Sequence, residues 1–295
     1  LILGAIQISQ RTTRLRVSDV SGTGSRRLID RPHRVSAELR NCDRLTALLM
    51  AEVEAARDAG AERIEVTALP ELRGMRLLRL LDRVSRASGS GPISVPSRTD
   101  MLAAAFLAVT TPALRRLPAE TFADDVAVAF VGESFTGVAT GQAGRRPSWV
   151  GSRPLGTETL TSRARFEDPP RPNQTEAAIS GVRRALGSLA LPRCGTAFVA
   201  SGSAAVLERL CGRQIDEQAA RRGLGAILGQ TSDDTAAWFG AEPGTARQLP
   251  ATLVACLALA ESLKLPLRPA GFDPVAGRWW LAEAGLSAAG RREAA

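Results

Sequence analysis

Apolar positions along the chain change period repeatedly, and the changes mark out elements. Leu1 to Ile8 is largely apolar, Ser9 to Thr12 is polar, and Leu15 and Val17 then alternate with Arg14, Arg16 and Ser18. Side chains on a strand point to opposite faces in turn, so this predicts two strands joined by a polar turn. Ser21-Gly22-Thr23-Gly24-Ser25 predicts a further turn, and a third strand is expected over Arg34 to Leu39. Asp43 is a helix-capping type. After it, Leu45, Leu48, Leu49, Val53 and Ala56 share one face of a helix predicted over Arg44 to Asp58 and ended by Gly60. Ile64 to Thr67 predicts a strand, Glu71 to Ser88 an amphipathic helix, and Pro92 to Val95 another strand. Ser97 then caps an alanine-rich helix over Arg98 to Val109.

Two prolines bracket a change of pattern in Pro112 to Ala123, which is expected to be a hinge. After it the order of elements begins again. Val126 to Val131, Val138 to Thr140 and a segment around Trp149 predict strands, with a turn over Gly132 to Thr136. Helices are predicted over Glu158 to Arg165, Thr175 to Gly187 and Ser201 to Leu210, and a strand over Ala197 to Ala200. Asp168-Pro169-Pro170 is expected to be a loop. The tail reads as helical, with a long apolar segment from Leu249 to Leu265 and a last one near Trp279 to Gly285. The repeat predicts an α/β protein of two ribonuclease-H-like lobes with a cleft between them, residues 1–118 and residues 119–295 with the helical tail.

Composition narrows the function classes. A hydrophobic content of 44% with 23% charged residues is that of a globular chain. No apolar run approaches the roughly 18 residues of a membrane span. Leu1 to Ile8 has no basic lead and contains Gln7, so it reads as a strand and the chain is expected to be cytoplasmic. Cys42, Cys194, Cys211 and Cys256 are scattered and His33 is the one histidine, which argues against a zinc site. Net charge is +8, carried by arginine with one lysine, Lys264, and there is no tyrosine. A positive field favours polyanions. The arginines are spread along the chain with small clusters at Arg14–Arg16, Arg26–Arg27 and Arg145–Arg146, and this dispersion argues against a nucleic-acid groove.

Several segments together resemble the exopolyphosphatase / guanosine pentaphosphate phosphatase (Ppx/GppA) family. Leu3-Gly4-Ala5-Ile6-Gln7-Ile8-Ser9-Gln10-Arg11-Thr12 stands where that family has its first phosphate loop, and Val126 to Gly141 where it has its second. Ser152-Arg153-Pro154-Leu155-Gly156-Thr157 followed by Leu160-Thr161 and Asp168-Pro169-Pro170 is similar to its S-L-P-L-G…L-T…D-P-P stretch. Ser201-Gly202-Ser203 with Leu207 and Leu210 is similar to its small-residue turn and following helix. The resemblance implies the duplicated fold of the actin and sugar-kinase superfamily, dimers in some members, and magnesium-dependent hydrolysis of terminal phosphoanhydride bonds in polyphosphate or guanosine pentaphosphate.

That chemistry needs hard oxygen ligands for the metal, donors on the phosphoryl oxygens and a base for water. By the resemblance, the first-loop carboxylate position holds Gln7, the second-loop one Phe130, and the base position Met101. Amide, ring and thioether cannot do those tasks, so no catalytic or metal-ligating residue is assigned. Asp100, beside Met101, is the residual candidate. Glu71 stands where the family has a phosphate-facing arginine, with Arg73 two residues on. Asp124 and Asp125 sit at the wrong end of their strand to substitute. Glu133 reads as a solvated turn residue. Phosphate-binding candidates remain at Arg11, Thr12, Gly132, Ser134, Thr136, Ser201, Gly202 and Ser203.

The expectation is a catalytically impaired relative that binds polyphosphate or a guanine nucleotide without turnover, with a homodimer as its possible assembly. The alternatives are an active exopolyphosphatase or guanosine pentaphosphate phosphatase, for which magnesium would be needed, and an interaction scaffold using Trp238, Trp279 and Trp280.

Overall fold

The computed structural model describes residues 1–8, 12–21, 24–34, 42–68, 82, 84, 86, 96–272 and 276–281. The chain forms two compact units, Leu1–Met101 with Asp273–Trp280, and Leu102–Phe272 with Leu281–Ala295. The change of unit falls between Met101 and Leu102, near the start of a helix.

In the first unit, β1 (Ile2–Ile8), β2 (Thr12–Ser21), β3 (Gly24–Arg34) and β4 (Arg63–Ala68) form a sheet in the order β3-β2-β1-β4. β1 to β3 are antiparallel, and β4 runs parallel to β1. Ile6, Ile8, Leu15, Val17, Ile64 and Val66 share one face. They pack with Leu45, Leu49, Val53 and Ala56 of α1 (Cys42–Asp58), so the predicted helical stripe is the core face. The third strand is Gly24–Arg34 and so begins earlier than expected. β2 and β3 pair as far as Ser21 opposite Gly24, and the arginines of β3 conceal its alternation. Residues 35–39, the strand expected at 92–95 and most of the helix expected at 71–88, with Glu71 and Arg73, lie outside the described residues.

The helix predicted over Arg98 to Val109 continues as α2 (Arg98–Arg116), through Pro112 and into the expected hinge. An internal proline costs about 3 kcal/mol. The run Leu102–Thr111 is buried throughout, and that burial offsets the cost. A 3-10 turn, Ala119–Phe122, follows.

In the second unit, β5 (Val126–Val131), β6 (Thr136–Gly141), β7 (Trp149–Arg153), β8 (Thr196–Ser201) and β9 (Leu267–Ala270) form a sheet in the order β7-β6-β5-β8-β9. β5, β6 and β7 are antiparallel, and β8 and β9 run parallel to β5. The first four strands repeat the order and sense of the first sheet, as a duplicated fold requires. The helices are α3 (Thr157–Arg163), α4 (Pro172–Gly187), α5 (Ala204–Cys211), α6 (Glu217–Ile227), α7 (Ser232–Phe239) and α8 (Pro243–Leu263). α8 is buried along Leu249–Ala260, and α3, α4, α6 and α7 pack around it.

The tail is not wholly helical, because β9 interrupts it. Lys264 takes a left-handed φ of 56° and ends α8. Pro266 and Pro269 then favour extended backbone. A last helix runs over 276–281, and no helix among the described residues is long and apolar enough to cross a membrane.

Candidate functional site

In open α/β sheets, ligands bind beyond the carboxyl ends of the parallel strands. In the second unit that edge is set by β5, β8 and β9, whose register pairs Val131 with Ser201 and Ala200 with Ala270. The turn after β5 and the turn after β8 therefore lie side by side. Both had been singled out from the sequence.

The edge is filled by aromatic rings. Phe130, one residue from the end of β5, has its ring centroid 5.0 Å from that of Phe135 and 5.6 Å from that of Phe272. Phe130 is 7% exposed and Phe135 1%. Phe272 lies two residues past β9 and gave no signal in the sequence, because only the sheet order brings it here. A Cβ on Gly132 would meet the Phe130 ring at 2.5 Å, so the absence of a side chain at 132 is what admits the ring.

The loop after β5 is also bound from below. Thr157 and Glu158, at the start of α3, donate their N–H groups to the carbonyls of Gly132 (2.9 Å) and Glu133 (3.0 Å). Gly156 lies so close that a Cβ would sit 2.1 Å from the Glu133 carbonyl oxygen and 2.2 Å from the Ser134 nitrogen. Thr136 is buried and donates its Oγ1 to the Leu155 carbonyl at 2.5 Å. Glu133 and Ser134 are half-buried. Of the candidates here, Thr136 is spent on the scaffold, and Gly132 and Ser134 belong to a loop held by α3.

The turn after β8 is partly closed on itself. The hydroxyls of Ser201 and Ser203 are 2.9 Å apart, and the Ser203 N–H donates to Ser201 Oγ at 3.2 Å. Both serines are buried, whereas Gly202 is exposed with nothing within 4 Å of a Cβ built on it. The Gly202 side of this turn is the open part of the edge.

Asp124 and Asp125 lie at the opposite end of β5. The Gly195 N–H, ahead of β8, donates to the Asp125 carbonyl at 2.9 Å, and the Asp124 carboxylate lies against Gly195.

In the first unit, Gln7 is half-buried on β1, with Arg14 of β2 and Thr67 of β4 as its ladder neighbours. Its side of the sheet carries an arginine–carboxylate array. Arg14 pairs with Asp30 through two hydrogen bonds, one of 2.9 Å, and Arg16 and Arg27 reach the same carboxylate at 3.4 and 3.0 Å. Burial pushes the Asp30 pKa up, but the Arg14 hydrogen bonds and the charges of Arg16, Arg14 and Arg27 together hold it below the usual carboxylate value. On the neighbouring rung Arg278 pairs with Glu65. Alternating arginines in β2 with one acid in β3 were the signal for this array, and only the register joins them.

Arg11 and the Thr12 side chain lie outside the described residues. Asp100 is exposed at the start of α2, in a reciprocal cap with Ser97. Ser97 Oγ is 2.7 Å from Asp100 Oδ2, and the Asp100 N–H donates to Ser97 Oγ at 3.1 Å. Met101 is half-buried.

The segment that carries the strongest resemblance does structural work. Arg153 donates to the carbonyls of Ala185 and Ser188 at the carboxyl end of α4. Asp168 accepts from the Ser232 N–H and hydroxyl at 2.7 and 2.5 Å, at the start of α7. Thr157 Oγ1 lies 2.8 Å from Gln248 Oε1 on α8.

Magnesium favours several hard oxygen ligands. The two loop positions where the resemblance would place carboxylates hold Gln7, whose neutral amide is a weak ligand, and Phe130, which has no donor atom, so they do not fit the ion. Among the described residues no three acidic, histidine or cysteine side chains cluster so as to hold a metal.

No family model and no curated protein matches the chain by sequence. The structure does match. A Ppx/GppA family member from Aquifex aeolicus, 16% identical, superposes with a TM-score of 0.75 over 96% of this chain and 97% of that one. The fold is that of the Ppx/GppA proteins. An exopolyphosphatase-like protein, 14% identical, gives 0.72 over 94% of this chain and 96% of that one. An exopolyphosphatase from Cytophaga hutchinsonii, 12% identical, gives 0.69 over the same shares of the two chains. The agreement extends over the Ppx/GppA fold nearly end to end, and at these identities it is an agreement of fold.

Proposed function

We propose that this chain is a catalytically impaired relative of the Ppx/GppA phosphohydrolases, one that binds a polyanion or guanine nucleotide without hydrolysing it. The observation that carries the reading is Phe130. A carboxylate at the end of β5 would grip a metal beside incoming phosphates. A buried ring packed against two others supplies neither charge nor a lone pair, and it desolvates the place where charge must be stabilised. The loss of acid at Gln7 and of a base at Met101 supports the same conclusion. Surviving affinity is assigned to the turn at Gly202, whose backbone faces outward at the carboxyl edge of the sheet, with Arg11 as a second candidate.

The test is a pair of measurements on the purified chain. Incubation with polyphosphate or guanosine pentaphosphate and magnesium is expected to release no phosphate above the blank. Calorimetric titration with the same ligands is expected to register binding. Release at the rate of an exopolyphosphatase would establish an active enzyme instead. Absence of heat with every ligand would leave the scaffold reading, which the exposure of Trp238 favours.

A further inference from the structure

On a regular strand, residues three apart point to opposite faces of the sheet. Arg27 and Asp30 are three apart on β3, yet Arg27 Nη1 lies 3.0 Å from Asp30 Oδ2. A β-bulge is the cause. Between the pairs Val17–Ile29 and Ser18–Arg27, β3 carries one residue more than β2, and that residue is Leu28. The extra residue reverses the alternation, so Arg27 stands on the side of the sheet that carries Arg14, Arg16 and Asp30. Bulges recur where a side chain has to be re-aimed. Arg26, the next residue, is left on the other side, opposite Asp19.

The cations at Asp30 exceed what one carboxylate needs. Arg14 engages both of its oxygens, with Nη2 donating to Oδ2 at 2.9 Å, and satisfies the acid with a single fork. Asp30 carries one charge and cannot balance Arg14 and Arg27 together. The Asp30 side chain is 15% exposed, against 37% for Arg14 and 46% for Arg27, so the acid is sheltered while both cations reach water. Gln7, the ladder neighbour of Arg14, adds no charge. Two guanidinium groups are thus held in place by one inner acid, with positive charge left over. The planar fork of arginine suits bidentate recognition of oxyanions.

We infer that Arg14 and Arg27 form an oxyanion site on the first sheet, with Asp30 as the fixed acid that orients both, and that the ligand is a multiply charged oxyanion such as a short phosphate chain. A single negative charge is held weakly there, because Asp30 repels it. A chain of phosphates spans both guanidinium groups and gains from each. The site lies wholly in the first unit and does not depend on the turn at Gly202 in the second.

Calorimetric titration of the full chain with sodium tripolyphosphate is the test. It is run on Gly202→Glu, whose added carboxylate has open space and repels anions from that turn. Tripolyphosphate is expected still to bind, and more weakly as salt is raised. Adding Arg27→Gln is expected to weaken binding by about tenfold, the scale of one charge-assisted hydrogen bond. Adding Arg26→Gln removes the same charge one residue away, on the other side of the sheet, and is expected to leave binding largely unchanged. Both arginines are exposed, so folding should survive, and circular dichroism checks it. An Arg27→Gln protein that binds as before, or equal losses from Arg26→Gln and Arg27→Gln, overturns the inference. Binding abolished by Gly202→Glu alone also overturns it, while supporting the reading of the turn.

Discussion

Phe130 and Phe272 meet edge to face, with ring centroids 5.6 Å apart and planes at 81°. This contact joins the end of β5 to the segment just after β9 and fills the carboxyl edge of the second sheet. Edge-to-face pairs add about 0.5–1.5 kcal/mol beyond their buried area. Phe130→Ala is expected to lower stability by about 3–5 kcal/mol in urea denaturation. Phe130→Asp is expected to destabilise the protein further and to yield no phosphate release, because a carboxylate there would face Phe135 and Phe272 with no compensating charge. Stable protein with restored hydrolysis would show that the ring alone blocks the chemistry.

Gly156 is the other tight point. Any side chain there meets the backbone of Glu133 and Ser134, not a flexible tip that can move aside. Gly156→Ala is expected to cost about 1–3 kcal/mol, the usual range for overpacking, through displacement of the loop after β5. Thermal melts measure the loss, and amide exchange at Thr157 and Glu158 should rise as their bonds to that loop open.

Asp100 acts in the structure as a cap. Asp100→Ala is expected to lower stability by about 0.5–2 kcal/mol, as loss of capping interactions does elsewhere. Ligand binding measured by calorimetry is expected to stay unchanged. A large loss of binding with unchanged stability would move Asp100 from the helix end into a binding role.

Asp30 predicts a pH dependence. Its pKa is held below the ordinary value, so the folded state binds this proton less readily than the unfolded state. The stabilisation is therefore present above the unfolded carboxylate value of about 3.9 and is lost as pH falls through the lower folded value. Asp30→Asn should flatten the acid limb of a stability–pH curve and cost about 1–3 kcal/mol at neutral pH, because Arg14 and Arg16 then face each other with weaker compensation. An unchanged acid limb would exclude Asp30 as its source.

Much of the architecture was legible from periodicity. The helical stripe of Leu45, Leu49, Val53 and Ala56 is a periodic pattern, and the strands read at Val126 to Val131 and Ala197 to Ala200 are short apolar runs that the structure finds at Val126–Val131 and Thr196–Ser201. Three readings went astray for physical reasons. Pro112 reads as a break, but ten buried residues ahead of it carry the helix through. β9 is four residues, with Pro266 just before it and Pro269 within it, too short to show a period. The start of β3 was hidden because its arginines alternate in facing and not in polarity.

By itself the sequence determined that Gln7, Met101 and Phe130 are not acids, and it showed the repeated order of elements. Only the tertiary structure decided what surrounds such positions. Strand order brings Phe272 to Phe130, register brings Arg14 and Arg16 to Asp30, and close backbone approach fits Gly156 beneath Glu133. Periodicity is a property of neighbours along the chain. These contacts join residues 14 to 142 positions apart, and they exist only once sheets have chosen their partners.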